Sequence, residues 1–216
     1  MAIKHLLFDI DDTLFASSEF SALARKNAIN AMIAMGLDYD YAFLNKKLSQ
    51  IVLRKTSNYS YHFNDLCKEL KVKNPSKFVA AAVAAYHDSK SAIQPFPEVP
   101  ITLLKLKEKG YPLYIATTGN SVKQWDKLIR LKIALYFEEV FVSDQKNEQF
   151  YKKILKSLNT KPQNCMMIGD REDRDILPAK KLGIQTVRVF VGKYSRESVP
   201  SQADYKIKKI DELLSI

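Results

Sequence analysis

Short apolar runs of strand length recur along most of this chain, and nearly all of them end in polar residues. Leu6-Leu7-Phe8 runs into Asp9-Ile10-Asp11-Asp12-Thr13, and Tyr111-Pro112-Leu113-Tyr114-Ile115-Ala116 runs into Thr117-Thr118-Gly119-Asn120. Val140-Phe141-Val142 ends at Ser143-Asp144, Cys165-Met166-Met167-Ile168 ends at Gly169-Asp170, and Thr186-Val187-Arg188-Val189-Phe190 makes a fifth run. Runs that are apolar at successive positions predict strands covered on both faces, as in a parallel sheet. Helical segments separate them at 98–109, 121–133, 150–158 and 176–182, with Gly110 and Gly183 as stops, and a short helix is predicted at 210–214. Strands alternating with helices predict an α/β fold, a Rossmann-like parallel sheet with right-handed crossovers and helices on both faces.

Residues 16–93 follow a different pattern. Phe20, Leu23, Ala24, Ala28, Ala31, Met32 and Met35 recur at helical spacing, Ser17 or Ser18 can cap the start, and Gly36 ends the run. Further helices are predicted at 63–70 and at 76–86, the second opened by Asn74-Pro75-Ser76. No strand pattern interrupts them, so 16–93 is read as an all-helical insert of three to five helices. Pro95, Pro97 and Pro100 mark its end. The core domain is then 1–15 together with 94–216. The aromatic stretch Asn58-Tyr59-Ser60-Tyr61-His62-Phe63 is read as core packing, with a role lining a substrate pocket as the alternative.

Composition narrows the class. The chain has 216 residues, 46% of them hydrophobic, enough for one large core and an insert. No apolar run reaches the ~18 residues of a membrane span, and the chain enters its first strand without a leader, so neither a membrane nor secretion is expected. Cys67 and Cys165 lie far apart without nearby histidines, which suits buried thiols in a reducing cytoplasm rather than a zinc site or disulfides. The net charge of +10 comes from lysines spread along the chain, a solvated surface rather than a nucleic-acid module. Lys206, Lys208 and Lys209 alternate with isoleucine as at the edge of a sheet. His5, His62 and His87 are isolated and have no ligand spacing.

The strand ends carry the chemistry. Asp9 and Asp11 fall on one side if the extended backbone continues, and two carboxylates so close need a cation between them or a shared proton. In a parallel sheet the ends at Asp9 and Asp11, at Thr117 to Gly119, at Ser143 and Asp144, and at Asp170 and Asp175 meet along one edge. That set suits phosphoryl transfer. A carboxylate attacks phosphorus, a second exchanges the proton with the leaving oxygen, Mg²⁺ and a lysine offset the charge, and Thr117 with the amides opening the next helix holds phosphate oxygens.

Asp9-Ile10-Asp11-Asp12-Thr13, Ile115-Ala116-Thr117-Thr118-Gly119 and Gly169-Asp170-Arg171-Glu172-Asp173-Arg174-Asp175 resemble the first, second and fourth motifs of the haloacid dehalogenase-like (HAD) hydrolase superfamily. The resemblance covers essentially the whole chain, with the helical insert as a cap. It implies Asp9 as nucleophile and Asp11 as general acid/base. Thr117 binds the phosphoryl group, with Thr118, Gly119 and Asn120 around it. By the same resemblance Asp9, Asp170 and the Asp11 backbone carbonyl would hold the metal, Asp175 would support the metal site or its waters, and Asp12 would only cap or bridge locally. The third motif departs from the family pattern: Ser143-Asp144-Gln145-Lys146-Asn147-Glu148-Gln149-Phe150 is short and has no proline after its lysine. Lys146 is the expected lysine, with Lys152 or Lys153 as alternatives. The expected activity is a Mg²⁺-dependent phosphatase of a small phosphorylated metabolite, the chain being a monomer or homodimer. A phosphomutase using the same aspartates is the enzymatic alternative, and a phosphoacceptor signalling domain the non-enzymatic one.

Overall fold

Leu6, Leu7 and Phe8 lie at the centre of a six-stranded parallel sheet, buried on both faces as their unbroken apolar run requires. The computed structural model describes residues 3–55, 59–191 and 200–216. The strands are β1 (His5–Phe8), β2 (Leu113–Thr118), β3 (Phe137–Ser143), β4 (Cys165–Gly169), β5 (Gln185–Val189) and β6 (Tyr205–Ile207). Their order is β3-β2-β1-β4-β5-β6. Leu7 stands opposite Tyr114 of β2 and Met167 of β4. The chain fills one side of β1 before crossing to the other, so the strand order reverses at β1 and β4, the kind of switch point outside whose carboxyl ends doubly wound sheets bind ligands.

The helices of this part of the chain are α5 (Val99–Glu108), α6 (Ser121–Arg130), α7 (Glu148–Ser157) and the single turn α8 (Leu177–Lys180). Two segments expected as longer helices are cut short. Lys132 turns the chain with φ 58° after α6, and a 3₁₀ turn at Ala134–Tyr136 feeds β3. Ahead of α8 the chain forms a π-helical turn, Glu172–Ile176, in which the Ile176 amide reaches back to the Arg171 carbonyl. β3 is longer than its apolar run because it includes the exposed Glu138 and Glu139. β6 forms at the sheet edge with only Ile207 buried, and 3₁₀ geometry replaces the short terminal helix at Ile210–Ser215.

Contacts divide the chain into two units, Met1–Ser18 with Gln94–Ile216, and Glu19–Ile93. The second is helical: α1 (Ser17–Ala34), α2 (Tyr41–Lys55), α3 (His62–Glu69) and α4 (Ser76–Ser89). Its core joins Ala28, Ile29 and Met32 of α1, Leu44, Leu48 and Ile51 of α2, Phe63 and Leu66 of α3, and Phe78 and Ala82 of α4. Ala24, Ala28 and Met32 of the expected series are fully buried on α1, but its two ends are not. Ile29 is fully buried, whereas Leu23 is 53% and Met35 47% exposed. Gly36 ends α1 with φ 90°, a left-handed conformation that suits glycine. In the aromatic stretch only Phe63 joins the core, while Tyr61 is 60% exposed and Tyr59 packs edge-on against Tyr61 and His62. Asn58 lies outside the described residues. Cys67 and Cys165 are buried free thiols, and burial pushes Cys165 up to about 11. Among the described residues, no helix is long and apolar enough to cross a membrane.

Candidate active site

The β1 ladder runs one residue beyond the strand, because the Asp9 amide donates to the Ile168 carbonyl at 2.9 Å. The extended backbone then stops. Asp12 takes φ 53°, a conformation that aspartate tolerates better than most residues, and the amides of Thr13 and Leu14 fold back onto the Ile10 carbonyl. Asp12 is buried, and its carboxylate accepts from the Ser18 amide at 2.9 Å and from the Ser18 hydroxyl. Asp12 therefore caps α1, the role expected of Ser17 or Ser18. Asp9 is buried, whereas the Asp11 side chain is 40% exposed and accepts from Lys127 of α6 at 2.6 Å on both oxygens.

Asp9, Asp170 and Asp175 are buried together, and each can offer an oxygen within 4.8 Å of the others. Lys146 reaches in from the loop after β3 and donates to Asp9 at 2.5 Å and to Asp175 at 2.6 Å, with 3% of its side chain exposed. Lys152 and Lys153 are exposed on α7, and Asp144 is exposed on the same loop as Lys146. Asn147 caps α7 by accepting from the Phe150 amide, which starts the helix early and holds the short loop that carries Lys146.

Three carboxylates against one ammonium leave two negative charges uncompensated. Two like charges 4 Å apart repel by about 4 kcal/mol at an effective dielectric of about 20. Burial, with Asp175 and Asp11 adding to it against the pull of Lys146, pushes Asp9 up to about 6. Burial followed by Asp175, Asp9 and Asp12 pushes Asp170 up to about 9. Asp170 Oδ1 is also buried without a hydrogen-bond partner. A Cβ at position 169 would fall 2.4 Å from Asp175 Cγ, so only glycine lets Asp175 close on the strand end. The donor set is all oxygen and short of positive charge, and a hard divalent cation such as Mg²⁺ meets both conditions. The Asp11 carboxylate stands with Lys127 instead.

Thr117 is buried at the end of β2, opposite Val142. Gly119 has φ 121°, and its amide donates to the Ser143 carbonyl. Asn120 is exposed and spends its side-chain oxygen on the Lys123 amide, which caps α6. The buried Gln124 donates from Nε2 to the Thr118 carbonyl at 2.6 Å and steadies the same turn. Sequence reasoning missed Lys127 and Gln124. Lys127 is 116 residues from its partner, and no local pattern marks it.

The haloacid dehalogenase-like hydrolase family model matches residues 6–189. A glyceraldehyde 3-phosphate phosphatase of Methanocaldococcus jannaschii is 40% identical over 99% of this chain and 96% of its own length. A second protein of that name, from Pyrococcus furiosus, is 39% identical over 99% and 92%. Among solved structures, a HAD phosphatase from Thermococcus onnurineus superposes with a TM-score of 0.73 at 22% identity, covering 99% of this chain and 97% of that one. With the strand-end motifs in place on a parallel sheet of matching fold, the chain belongs to the haloacid dehalogenase-like hydrolase family, as a phosphoric monoester hydrolase.

Proposed function

We propose that this protein is a Mg²⁺-dependent phosphatase that hydrolyses a small phosphorylated metabolite through an aspartyl-phosphate on Asp9, with glyceraldehyde 3-phosphate as the first substrate to test. The observation that carries this reading is the buried group of Asp9, Asp170 and Asp175 with Lys146 wedged between two of them. The 40% identity to a glyceraldehyde 3-phosphate phosphatase over nearly the full length of both chains supports the substrate. No specific observation favours a phosphomutase.

In this reading an Asp9 oxygen attacks phosphorus, the bond to the leaving group breaks, and Asp11 gives its proton to the leaving oxygen. Asp11 then takes a proton from the water that attacks phosphorus. The acyl-phosphate bond breaks, releasing phosphate and restoring Asp9. Lys146 holds Asp9 in place and offsets its charge. Thr117 and the turn from Thr118 to Asn120, at the start of α6, receive the phosphoryl oxygens. Asp9, Asp170, Asp175 and the Asp11 carbonyl would hold Mg²⁺, which would supply the positive charge that lets an anionic carboxylate meet an anionic phosphoryl group.

The test is phosphate release from glyceraldehyde 3-phosphate, other sugar phosphates, phosphoglycolate, nucleoside monophosphates and an aryl phosphate, with Mg²⁺ or with EDTA. Glyceraldehyde 3-phosphate is expected to give the highest kcat/KM, and EDTA to lower it by at least ~10²-fold. Release that EDTA leaves intact would remove the metal from the reading. Conversion of a hexose 1-phosphate into its isomer would point to a mutase.

Stability gives a second check. Asp9 and Asp170 are both raised on folding. A carboxyl raised in this way stabilises the fold at low pH, and its contribution is lost as pH rises through the folded value. These two groups therefore cost the metal-free protein stability between about pH 4 and about pH 9. The same ionisation creates the ligands for a cation, so Mg²⁺ is expected to raise Tm more at about pH 8 than at about pH 5.5. Equal shifts at the two pH values would count against these carboxylates as the cation site.

A further inference from the structure

Arg188 lies in the interior of the sheet with none of its surface exposed. A guanidinium is tolerated there only where its donors are met. Its Nε donates to the Asp170 carbonyl at 3.1 Å, and its Nη1 donates to the Glu172 carboxylate at 3.1 Å. Its Cζ stands 4.8 Å from the ring centroid of Phe190, two residues further along the same strand face. Glu172 is held from a second direction as well. It accepts from the Ser201 hydroxyl at 2.7 Å and from the Gln202 amide at 2.8 Å, in the segment that leads into β6.

The contacts converge on one peptide unit. Its carbonyl, on Asp170, is held by Arg188, and its N–H, on Arg171, donates to Asp175 Oδ2 at 2.9 Å. Both polar groups of the Asp170–Arg171 peptide are thus fixed, one from β5 and one by a carboxylate of the acidic group. Gly169 pairs with Arg188 in the β4–β5 ladder, which brings the guanidinium to the strand end where Asp170 begins. Asp170 Oδ1 is buried without a hydrogen-bond partner, and the backbone that carries this side chain is held on both sides of its peptide.

We propose that Arg188 is a positioning residue for the cation site: by clamping the Asp170–Arg171 peptide, and through Glu172 the segment at Ser201 and Gln202, it presents the Asp170 carboxylate to the metal. The proposal rests on reading Asp9, Asp170 and Asp175 as that site. Its test is calorimetric titration of Mg²⁺ into the full chain, for wild type, Arg188→Met, Arg188→Lys and Glu172→Gln. Each is titrated well below its own Tm, with kcat and KM for an aryl phosphate measured at saturating Mg²⁺. Arg188→Met is expected to weaken Mg²⁺ binding roughly 10-fold or more, as loss of a group that orients a metal ligand commonly does, while KM for the ester stays within about twofold. Arg188→Lys should recover part of the loss, because an ammonium lacks the planar fork that serves the carbonyl and the carboxylate together. Glu172→Gln should weaken binding in the same direction. If Arg188→Met does not fold, the other two variants carry the test, and folded Arg188→Lys and Glu172→Gln proteins with wild-type Mg²⁺ affinity would overturn the proposal. Wild type that binds no Mg²⁺ would instead overturn the cation site itself.

Discussion

Asp9→Asn is expected to lower kcat/KM by at least ~10³-fold, about 4 kcal/mol of transition-state stabilisation, with the fold left intact. Asparagine has nearly the shape of aspartate, and its amide oxygen can still accept from Lys146, which lies 2.5 Å from the native carboxylate. What it lacks is the anionic oxygen that attacks phosphorus. The same change removes one of three carboxylates from a buried group whose members lie within 4.8 Å of one another. Repulsion in the metal-free protein falls, so its Tm should hold or rise while activity disappears. Damage to the fold would lower both. Phosphate release and thermal melting on one preparation therefore separate the two explanations. Retention of more than about a tenth of wild-type activity would move the nucleophile to another carboxylate.

The strand ends were legible in the sequence because a parallel sheet concentrates its chemistry at one edge, and Asp9, Thr117 and Asp170 each follow directly on a buried run. The contact of Lys146 with Asp9 and Asp175 follows from its place in the chain. Lys146 is the one lysine between the end of β3 and the start of α7, and the Asn147 cap keeps that loop too short to place Lys152 or Lys153 at the site. Contacts made by the turns were not legible. Asp12 enters a left-handed turn directly after the pair, and the partner of Asp11, Lys127, comes from α6, 116 residues away. The centre of α1's buried face, at Ala24, Ala28 and Met32, was legible, but Ile29 was passed over and Leu23 and Met35 were included wrongly. Packing against α2, α3 and α4 decides in favour of Ile29. α2 itself went unnamed, although Asp40 accepts from the Phe43 amide and Leu44, Leu48 and Ile51 follow at helical spacing. Arg188 reads in sequence as one polar residue in an apolar strand. Only the fold shows that its charge is buried against Asp170.

Lys146→Met is expected to separate catalysis from metal binding. Its ammonium is the one cation that hydrogen-bonds Asp9 and Asp175 among the described residues, at 2.5 and 2.6 Å. Methionine fills much of the same volume but leaves those carboxylates uncompensated. Removing one partner from a buried ion pair typically costs about 3–5 kcal/mol, so the metal-free variant should melt well below wild type. Catalysis should fall by at least ~10²-fold in kcat/KM, because the charge that offsets Asp9 as it meets an anionic phosphoryl group is gone. Mg²⁺ affinity should move the other way. The ammonium repels a bound cation, by about 4 kcal/mol per unit charge at 4 Å and an effective dielectric of about 20, so without it Mg²⁺ should bind at least as tightly and restore more of the lost Tm than it adds to wild type. This pattern, tight metal with poor turnover, is the reverse of that expected for Arg188→Met, where metal binding weakens first. The two variants together distinguish a residue that neutralises the nucleophile from one that aims a ligand. If Lys146→Met keeps near-wild-type kcat/KM while Lys152→Met or Lys153→Met loses it, the charge that serves Asp9 during turnover comes from α7, and the loop must rearrange when substrate binds.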